Sequence, residues 1–553
     1  MYDTPTDFIV VGAGSAGCVL ANRLSADPTC RVLLLEAGAA RLRRETAIPA
    51  AFTQLFKTEQ DWDFVTDPLE HLGGRRLHVP RGKGLGGSSA INAMMYVRGH
   101  RADYDGWAAA GCAGWSYDEV LPYFRRSERN SRGASRWHGA DGPLAVSDVR
   151  DPNPLTHAFL HAAREVGIPP NDDFNGPALD GAGFAQVTQR RGRRCSAADA
   201  FLTPIRRRPN LSIVTGAHAT RVLVEGGRAV GVEYVRDGTR EIVRAARAVV
   251  LCLGAIGSPQ LLMLSGIGPA DQLRRHGLPV ILDLPGVGQN LNEHFGCVMR
   301  WTCTQPVTLL TAASLPNLLR FLLLGRGPLT SNIGEAAAFV RTQPGLETPD
   351  VEIMFGAVLF EGAGLVAPSR HGFSLAPIVL QPRSRGSLRL RSANPFDKPD
   401  IQPAFLSDRG GDDLLTLLAG MQIARRIAES PALRPYRGAE LAPGPQMTDA
   451  AFVRAEGHTN WHPAGTCRMG VDPLAVVDPA LRVRGIEGLR IADASVMPSL
   501  NRGHPHAPVL MIAERACDLI RDVAVTSAAS SPVSRERARA LEDAESTAIP
   551  AVP

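Results

Sequence analysis

The amino-acid sequence predicts an α/β protein that combines a nucleotide-binding domain with a second domain containing a sheet and flanking helices. Three observations support this prediction. Residues 7–38 have the pattern of a complete βαβ unit, residues 247–268 repeat the order of strand, glycine turn and helix, and residues 298–451 contain strand-like stretches with one long helix. Strands that alternate with helices are typical of a parallel sheet covered on its faces.

The first unit has the features of a diphosphate site. An apolar strand at residues 8–11 leads through a turn into a helix, and a second apolar strand at residues 31–35 ends in Glu36. The turn contains Gly12, Gly14, Ser15, Ala16 and Gly17. Because glycine has no Cβ atom, the backbone of this turn can approach a phosphate closely. The free N–H groups at the start of the helix attract the negative charge of the phosphate. The Glu36 carboxylate suits the ribose hydroxyls of an adenosine and repels a 2′-phosphate. The unit therefore predicts a Rossmann-like site for FAD or NAD rather than NADP.

Residues 80–99 (PRGKGLGGSSAINAMMYVRG) form a second glycine-rich stretch. Its backbone N–H groups and hydroxyls can line a flat or anionic ligand. A capping box at residues 116–119 (SYDE) predicts a helix, and the arginines of residues 190–194 are expected to be solvated. Alternating residues at 211–214 and 221–224, followed by GGRAVGVEYV, predict strands and a hairpin.

A buried strand at residues 247–253 leads into a second glycine turn. We expect Ser258 to cap the following helix and Pro259 to occupy its first helical position, because these residue types favour those positions. A second strand, glycine turn and helix in one chain indicates that this segment returns to the ligand of the first unit.

Residues 298–451 have a different sequence pattern, with strand-like stretches, a helix at residues 412–428 and a further helix after a cap at Thr448. Their position between glycine-rich segments predicts a substrate-side domain. Residues 460–520 then return to ligand chemistry with NWHPAGTCRMG and NRGHPHAP. From residue 526 the sequence loses periodicity, and we expect residues 526–553 to form a disordered tail.

Composition excludes several classes of protein. The net charge of +5 is spread over 553 residues without a basic block, which argues against nucleic-acid binding. Nine scattered cysteines without metal-ligand spacing, and an N-terminus that leads directly into the first strand, predict a reduced cytoplasmic protein without a metal site. No apolar run approaches the roughly 20 residues of a membrane span. We expect the segment 318–324 (LLRFLLL) to be buried in a core, with peripheral contact to the cytoplasmic side of a membrane as the alternative.

Residues 82–105 and 254–268 resemble, in order, the two signatures of the glucose-methanol-choline (GMC) oxidoreductase family. The resemblance covers residues 5–522 and implies FAD rather than NAD. It also implies a discontinuous FAD-binding domain with an inserted α+β substrate-binding domain built on an antiparallel sheet. The FAD-binding segments are 1–150, 209–297 and 455–525, and the substrate-binding segments are 151–208 and 298–454.

The resemblance also implies which residues hold the cofactor. The ADP half would contact the first turn and the end of the second strand, namely Gly12, Gly14, Ser15, Ala16, Gly17, Glu36 and Ala37, with Ala219 at the adenine. The flavin would contact Gly86, Gly87, Ser88, Asn92 and Ala93. Asp493 and Ala494 would lie near the ribityl chain and pyrophosphate, and His506 would touch the flavin. Some members attach FAD covalently through a histidine where this chain has Ala90, so we expect non-covalent FAD.

By the same resemblance, His462 is the catalytic base, because alcohol oxidation needs a group near neutral pKa to take the hydroxyl proton. His504 stands where many members have asparagine and is the second catalytic residue. The substrate hydroxyl would lie between these histidines while its α-hydride passes to flavin N5. Trp461 and Glu335 are the predicted substrate-binding residues, and Glu335 lies where choline-oxidising members have a carboxylate.

A primary aliphatic or aryl alcohol is the preferred substrate, because no aromatic residue directly precedes Glu335 to complete a choline cage. Choline dehydrogenase is one alternative, and an FAD-containing hydroxynitrile lyase without redox chemistry is another. A fatty-acid photodecarboxylase is disfavoured by His462. The electron acceptor is a quinone, another carrier or oxygen, and the sequence leaves homo-oligomer formation open.

Overall fold

The computed structural model describes residues 6–528, except for the side chains of residues 522–528. The first three residues of the expected disordered tail, 526–528, belong to the C-terminal helix. The remainder of that prediction lies outside the described residues.

A seven-stranded sheet forms the first layer of the fold. Its strands, in spatial order, are Leu211–Thr215, Val32–Glu36, Thr6–Val11, Thr239–Leu251, Arg228–Arg236 and His218–Glu225, and Leu489–Ile491 also pairs with Thr239–Leu251. Pairing is parallel around the first strand, where Val10 is in register with Leu34 and Val250. The apolar runs of these strands are buried because helices cover the parallel sheet.

The helices span Ser15–Leu24, Arg101–Ala109, Tyr117–Ser127, Pro154–Glu165, Gly254–Leu264, Ala270–Arg275, Leu315–Leu324, Asp412–Glu429, Asp449–Glu456 and His506–Ala528. The predicted capping box at Ser116 and Glu119 is confirmed, since the Glu119 carboxylate accepts from the Ser116 N–H at 3.0 Å. The cap at Thr448 is confirmed as well, because its hydroxyl accepts from the Ala451 N–H.

The predicted start of the Gly254–Leu264 helix is wrong. The helix begins four residues before Ser258, and Pro259 lies inside it. A proline cannot donate to the carbonyl four residues earlier, which belongs to Ala255. The Thr466 hydroxyl donates to that carbonyl at 2.6 Å instead. Thr466, distant in sequence, thus satisfies the carbonyl that Pro259 leaves unpaired. This contact allows Pro259 inside the helix, whereas local sequence preferences place proline at a helix terminus.

An eight-stranded sheet forms the second layer, and its ladders are antiparallel. Its strands are Arg437–Ala442, Met299–Cys303, Gly372–Val379, Val351–Gly356, Gly334–Val340, Gly181–Phe184, Phe295–Gly296 and His458–Thr459. The helices Pro154–Glu165 and Asp412–Glu429 pack against it through a separate apolar core. The expected antiparallel sheet with flanking helices is therefore present.

Two-stranded ladders complete the fold, formed by Phe64–Val65 with His78–Val79, Glu128–Asn130 with Leu144–Val146, Gln189–Arg190 with Arg193–Arg194, Ile267–Gly268 with Leu282–Asp283, and Ser387–Arg389 with Asp400–Gln402. Residues 195–205 were grouped above with the substrate-binding domain, but their apolar side chains pack in the core of the first sheet. Conversely, Phe295–Gly296 and His458–Thr459 pair in the second sheet, although both were grouped with the FAD-binding segments.

The expected core burial of residues 318–324 is wrong. They lie in the helix Leu315–Leu324, in which Phe321 is the buried residue and most leucines face solvent. No helix among the described residues is long and apolar enough to cross a bilayer.

All nine cysteines are free thiols.

The buried carboxylate of Glu514 joins three helices of the first layer. It accepts from Arg23 at 2.7 Å, from Arg126 at 2.8 Å and from the Ser127 hydroxyl at 3.0 Å. Removing one partner of such a group leaves the remaining charges unpaired, which costs more than the pair itself contributes.

We expect Glu514→Ala to lower the free energy of unfolding by about 3 kcal/mol, because the partly buried guanidinium of Arg23 loses its carboxylate partner and that of Arg126 keeps only Asp518. Thermal unfolding checks this. The matched control is Glu487→Ala, whose carboxylate is 82% exposed and pairs with Arg228 at 3.8 Å. Equal melting temperatures for the two variants would contradict the role given to Glu514.

Candidate active site

A cavity of about 940 Å³ lies between the two sheets. The carboxyl ends of the parallel strands face it at Val11, Glu36 and Cys252, and the second sheet faces it at Met354 and Ala376. Ligands of open parallel sheets bind at this edge of the strands.

Most of the residues predicted from the sequence line this one cavity. Those that do are Gly12, Gly14, Ser15, Ala16, Glu36, Ala37, Gly87, Ser88, Asn92, Ala93, Ala219, Trp461, His462, Asp493, Ala494, His504 and His506. Gly17, Gly86 and Glu335 do not line it. Segments separated by more than four hundred residues of sequence therefore meet at one site.

The first turn is shaped to approach a diphosphate. Gly12 has φ of +99°, and a Cβ there would lie 2.7 Å from the Cys252 carbonyl oxygen. A Cβ on Gly17 would lie 1.9 Å from the Gly12 carbonyl oxygen, so the helix can pack this closely against the turn only with glycine at position 17. No side chain caps the helix Ser15–Leu24, which leaves its first N–H groups free to bind an anion.

The Glu36 carboxylate connects three backbone turns. It accepts from the N–H groups of Gly38 at 2.8 Å, Gly84 at 2.9 Å and Ala13 at 2.8 Å. Burial raises its pKa, and these three hydrogen bonds lower it. A carboxylate has about four acceptor positions, so one remains for a ribose hydroxyl.

The second glycine-rich stretch rests directly on the first turn. The Gly86 N–H donates to the Ala13 carbonyl at 2.8 Å, and a Cβ on Gly87 would lie 2.7 Å from Gly14 Cα. Arg194 holds the C-terminal part of this glycine-rich stretch, since its Nη1 donates to Asn92 Oδ1 at 2.8 Å. Burial lowers the pKa of Arg194 to about 9, so the prediction that all arginines of residues 190–194 are solvated is wrong for this one.

Asp493 fixes the second turn at the cavity. Its Oδ2 accepts from the Ser258 hydroxyl at 2.6 Å and from the Gly254 N–H at 2.9 Å, while Oδ1 accepts from the Ser495 N–H at 2.8 Å. Burial raises the pKa of this carboxyl group. Ser258, predicted as a helix cap, thus serves as a link between the second turn and Asp493.

His506 begins the C-terminal helix and contacts the first turn, with Nδ1 3.1 Å from the Ser15 hydroxyl. Burial lowers its pKa to about 4, so the ring is neutral at pH 7. Among the described residues its buried Nε2 has no hydrogen-bond partner. A buried polar atom without a partner on a cavity wall, beside a cradle that Cβ atoms would fill, fits a bound cofactor with polar edges.

Two imidazoles lie in edge-to-face contact at the cavity wall. The ring centroids of His462 and His504 lie 4.9 Å apart with an interplanar angle of 79°. Burial lowers the pKa of His462 well below 6.5, and the neighbouring imidazoles of His504 and His294 lower it further. His462 is therefore a neutral ring at pH 7, able to accept a proton.

The neighbouring His294 determines which nitrogen of His462 is free. Nε2 of His294 lies 3.1 Å from the Leu380 carbonyl oxygen, which can only accept, so this nitrogen carries the proton. Burial lowers the pKa of His294 to about 3, so its Nδ1 is a bare acceptor. Nδ1 of His462 lies 2.9 Å away and must donate to it, so the Asn460 amide, 3.4 Å from the same Nδ1, presents its oxygen there rather than its NH2 group. The proton of neutral His462 thus resides on Nδ1, leaving Nε2 as the basic atom.

Buried glutamate side chains hold both catalytic candidates. Glu352 accepts from Nε2 of His504 at 3.2 Å, and its other oxygen has no partner among the described residues. Glu293 accepts from the backbone N–H of His462 at 2.6 Å, and burial raises its pKa to about 8. The second sheet therefore positions the His504 ring through Glu352. The residues just before the strand Phe295–Gly296 position His462 through Glu293.

The cavity wall beside His462 is aromatic. The ring centroids of Phe56 and Trp461 lie 5.1 Å apart, and Phe52 and Phe360 extend the same cluster. Trp461 has φ of +63°, a strained conformation for this residue, and the guanidinium of Arg81 donates to its carbonyl. This wall suits an apolar or aromatic substrate group.

The structure does not place Glu335 in the cavity. Its carboxylate is fully buried and accepts from the hydroxyls of Ser331 at 2.5 Å and Thr156 at 2.6 Å, and from the Asn153 N–H at 2.8 Å. With both oxygens occupied in this way, the group joins the strand Gly334–Val340 to the start of the helix Pro154–Glu165.

Sequence reasoning missed His294, Glu293 and Glu352. The first two lie in NLNEH, at the end of a turn-rich link that contains no recognisable motif. Glu352 interrupts an apolar strand, VEIMFG, and such a charge in a buried strand is a usable signal because it needs a partner.

Comparison with known families agrees with this geometry. Residues 6–296 match the N-terminal model described as GMC oxidoreductase, and residues 382–513 match the C-terminal model of the same description. Together these ranges cover most of the chain.

The similar proteins are full-length matches. An uncharacterized GMC-type oxidoreductase of Mycobacterium tuberculosis is 49% identical over 94% of this chain and 100% of its own length. An alcohol dehydrogenase [acceptor] of Pseudomonas putida is 44% identical over 93% of this chain and 95% of its own. An oxygen-dependent choline dehydrogenase of Brucella ovis is 43% identical with the same coverage.

Among solved structures, pyridoxine 4-oxidase from Mesorbium loti superposes with a TM-score of 0.85. It is 35% identical to this chain and covers 93% of it and 98% of its own chain.

Gly87→Ala is expected to reduce FAD content at least tenfold, because the added Cβ meets Gly14 Cα and the residue has φ of +51°. Absorbance of the purified protein measures the ratio of flavin to polypeptide. Gly106→Ala is the control, since nothing lies within 4 Å of a Cβ there. A folded Gly87→Ala variant with full flavin content would contradict the packing described.

Proposed function

The chain belongs to the GMC oxidoreductase family of FAD-dependent enzymes that act on CH–OH donors, and from that premise we propose that it oxidises apolar primary alcohols to aldehydes. The single observation that carries the proposal is the edge-to-face pair of His462 and His504 beside an aromatic wall.

The residues that would hold FAD are those of the two glycine-rich turns, with Glu36 at the ribose and Asp493 beside the second turn. FAD, when bound, supplies the acceptor for the hydride that leaves the α-carbon, and a carrier or oxygen then regenerates it. We propose non-covalent binding, because Ala90 is a buried methyl group that offers no atom for attachment.

In the proposed reaction, the chain's own contribution is proton transfer. Nε2 of His462 accepts the hydroxyl proton, and the resulting imidazolium keeps its Nδ1–H bonded to His294. The Glu352 carboxylate holds the His504 ring against that of His462, so that the substrate oxygen can approach both imidazoles from the cavity. General-base assistance of this kind contributes roughly 10²- to 10⁴-fold to the rate.

The aromatic wall suits alkyl and aryl groups. Choline is the second candidate, because the Brucella ovis relative is named for it and aromatic rings can bind a quaternary ammonium. The buried, fully bonded Glu335 weakens this candidate, since the family carboxylate does not reach the cavity.

An anaerobic screen tests the substrate class. Octanol, benzyl alcohol and choline are added to the oxidised holoenzyme, flavin bleaching is followed, and oxygen is then admitted. The two apolar alcohols should bleach the flavin faster than choline does. Faster bleaching by saturating choline reverses the ranking, and cyanide release from mandelonitrile without bleaching supports a hydroxynitrile lyase.

His462→Ala should slow anaerobic bleaching by the preferred alcohol about a thousandfold while FAD stays bound, because the hydroxyl proton then has no acceptor. Stopped-flow absorbance measures the rate. His161→Ala removes an exposed imidazole and should behave as the wild type. Unchanged bleaching in His462→Ala would remove the residue from its proposed role.

His294→Leu should lower kcat/KM about a hundredfold, because loss of the acceptor frees His462 to adopt the wrong tautomer. His294→Gln restores a side-chain oxygen that can accept from Nδ1 and should recover most of the activity. A merely structural role for His294 would give equal losses in both variants, with parallel losses of flavin content and thermal stability.

The pH dependence has a defined sign. Since the pKa of His462 lies well below 6.5, the base is deprotonated throughout neutral pH. Accordingly, kcat/KM should stay on its plateau from pH 7, below the pKa of Glu293, down past pH 6.5 and fall only as the pH approaches the lowered pKa of His462. A profile that falls with a midpoint at or above about 6.5, the ordinary histidine value, would contradict the lowered pKa.

A further inference from the structure

The helix Leu315–Leu324 carries a large exposed apolar face. The side chains of Leu315, Leu319, Leu322, Leu323 and Leu324 are between 49% and 79% exposed. The first four follow the spacing of one side of a helix. An exposed patch of this kind on a folded protein marks a contact surface.

The opposite side of this helix is firmly attached to the protein. Phe321 is buried beneath the guanidinium of Arg193, which lies 5.1 Å from its ring centroid. Leu318 packs in the same small core as Ile48 and Ala50. The helix therefore rests on the segment that leads into the short helix Pro49–Leu55, and the exposed leucines point away from it.

A second apolar edge rests on the same short helix. Gly364 packs against Thr53, and the adjoining Leu365 and Val366 are 42% and 50% exposed. Leu365 also lines the active-site cavity, as does Phe52 of the short helix. The cavity thus reaches the surface at Leu365, on the same short helix that supports the leucine helix.

Positive charge borders this surface. A Cβ on Gly325 would lie 2.3 Å from the Arg191 carbonyl oxygen, so the turn containing Arg191 lies against the C-terminal end of the leucine helix. Arg191 and Arg193 are exposed, and Arg320 and Arg326 are about half-exposed and share a single acid, Asp151.

We propose that this surface, comprising the leucine helix, the Leu365 loop and the bordering arginines, docks onto an anionic phospholipid bilayer. Leucines at the interface bury apolar area, and each arginine gains from the negative surface. A second copy fits less well, because a two-fold contact through the leucines would bring like-charged arginine borders together. Docking places the cavity mouth at the bilayer, from which an apolar alcohol enters.

The test is flotation of the full-length holoenzyme with vesicles of phosphatidylcholine alone or mixed with phosphatidylglycerol. The wild type should float with the anionic vesicles, and binding should weaken at high salt. The double variant Leu319→Glu with Leu323→Glu should lose at least tenfold in apparent affinity. Leu415→Glu replaces a leucine that is 60% exposed on the helix Asp412–Glu429 and should bind as the wild type does.

Several outcomes would overturn the proposal. They are a wild type that does not float at saturating anionic lipid, a double variant that binds as tightly as the wild type, or equal loss of binding in Leu415→Glu. A wild-type dimer that the double variant dissociates, without vesicle binding, would instead assign the surface to a second copy. Bleaching by water-soluble benzyl alcohol without vesicles should be equal in all variants, which separates docking from the proposed reaction.

Discussion

The hydrogen bond between Nδ1 of His462 and Nδ1 of His294 is the constraint on which the chemistry of this protein depends. Two neutral imidazoles 2.9 Å apart can share only one proton, and the Leu380 carbonyl determines which ring supplies it. A backbone carbonyl that can only accept therefore fixes, through two rings, which nitrogen of His462 is basic. Burial keeps both rings neutral at pH 7.

The two sheets divide the work of the site. The parallel sheet presents glycine turns and free N–H groups, which suit a diphosphate and offer little chemistry of their own. The antiparallel sheet and its edge segments hold His294 and Glu352, since His294 directly precedes Phe295–Gly296 and Glu352 lies in Val351–Gly356, whereas His504 lies directly before the C-terminal helix of the first layer. The cavity forms where these layers meet, so neither domain alone contains the reactive arrangement.

Sequence reasoning predicted the features that depend on local spacing, such as the first glycine turn and Glu36. It failed where a distant residue changes a local rule. Pro259 lies within a helix because Thr466 satisfies the carbonyl that it leaves unpaired. His294 was missed because its importance comes from a contact across 168 residues of sequence. The leucine helix was predicted to be buried, because hydrophobic residues usually are.

The most direct measurement is neutron diffraction from a deuterium-exchanged crystal of the holoenzyme at pH 7. The expected result places deuterium on Nε2 of His294 and on Nδ1 of His462, with none on Nε2 of His462. Deuterium on Nε2 of His462, alone or together with Nδ1, would contradict its assignment as the base.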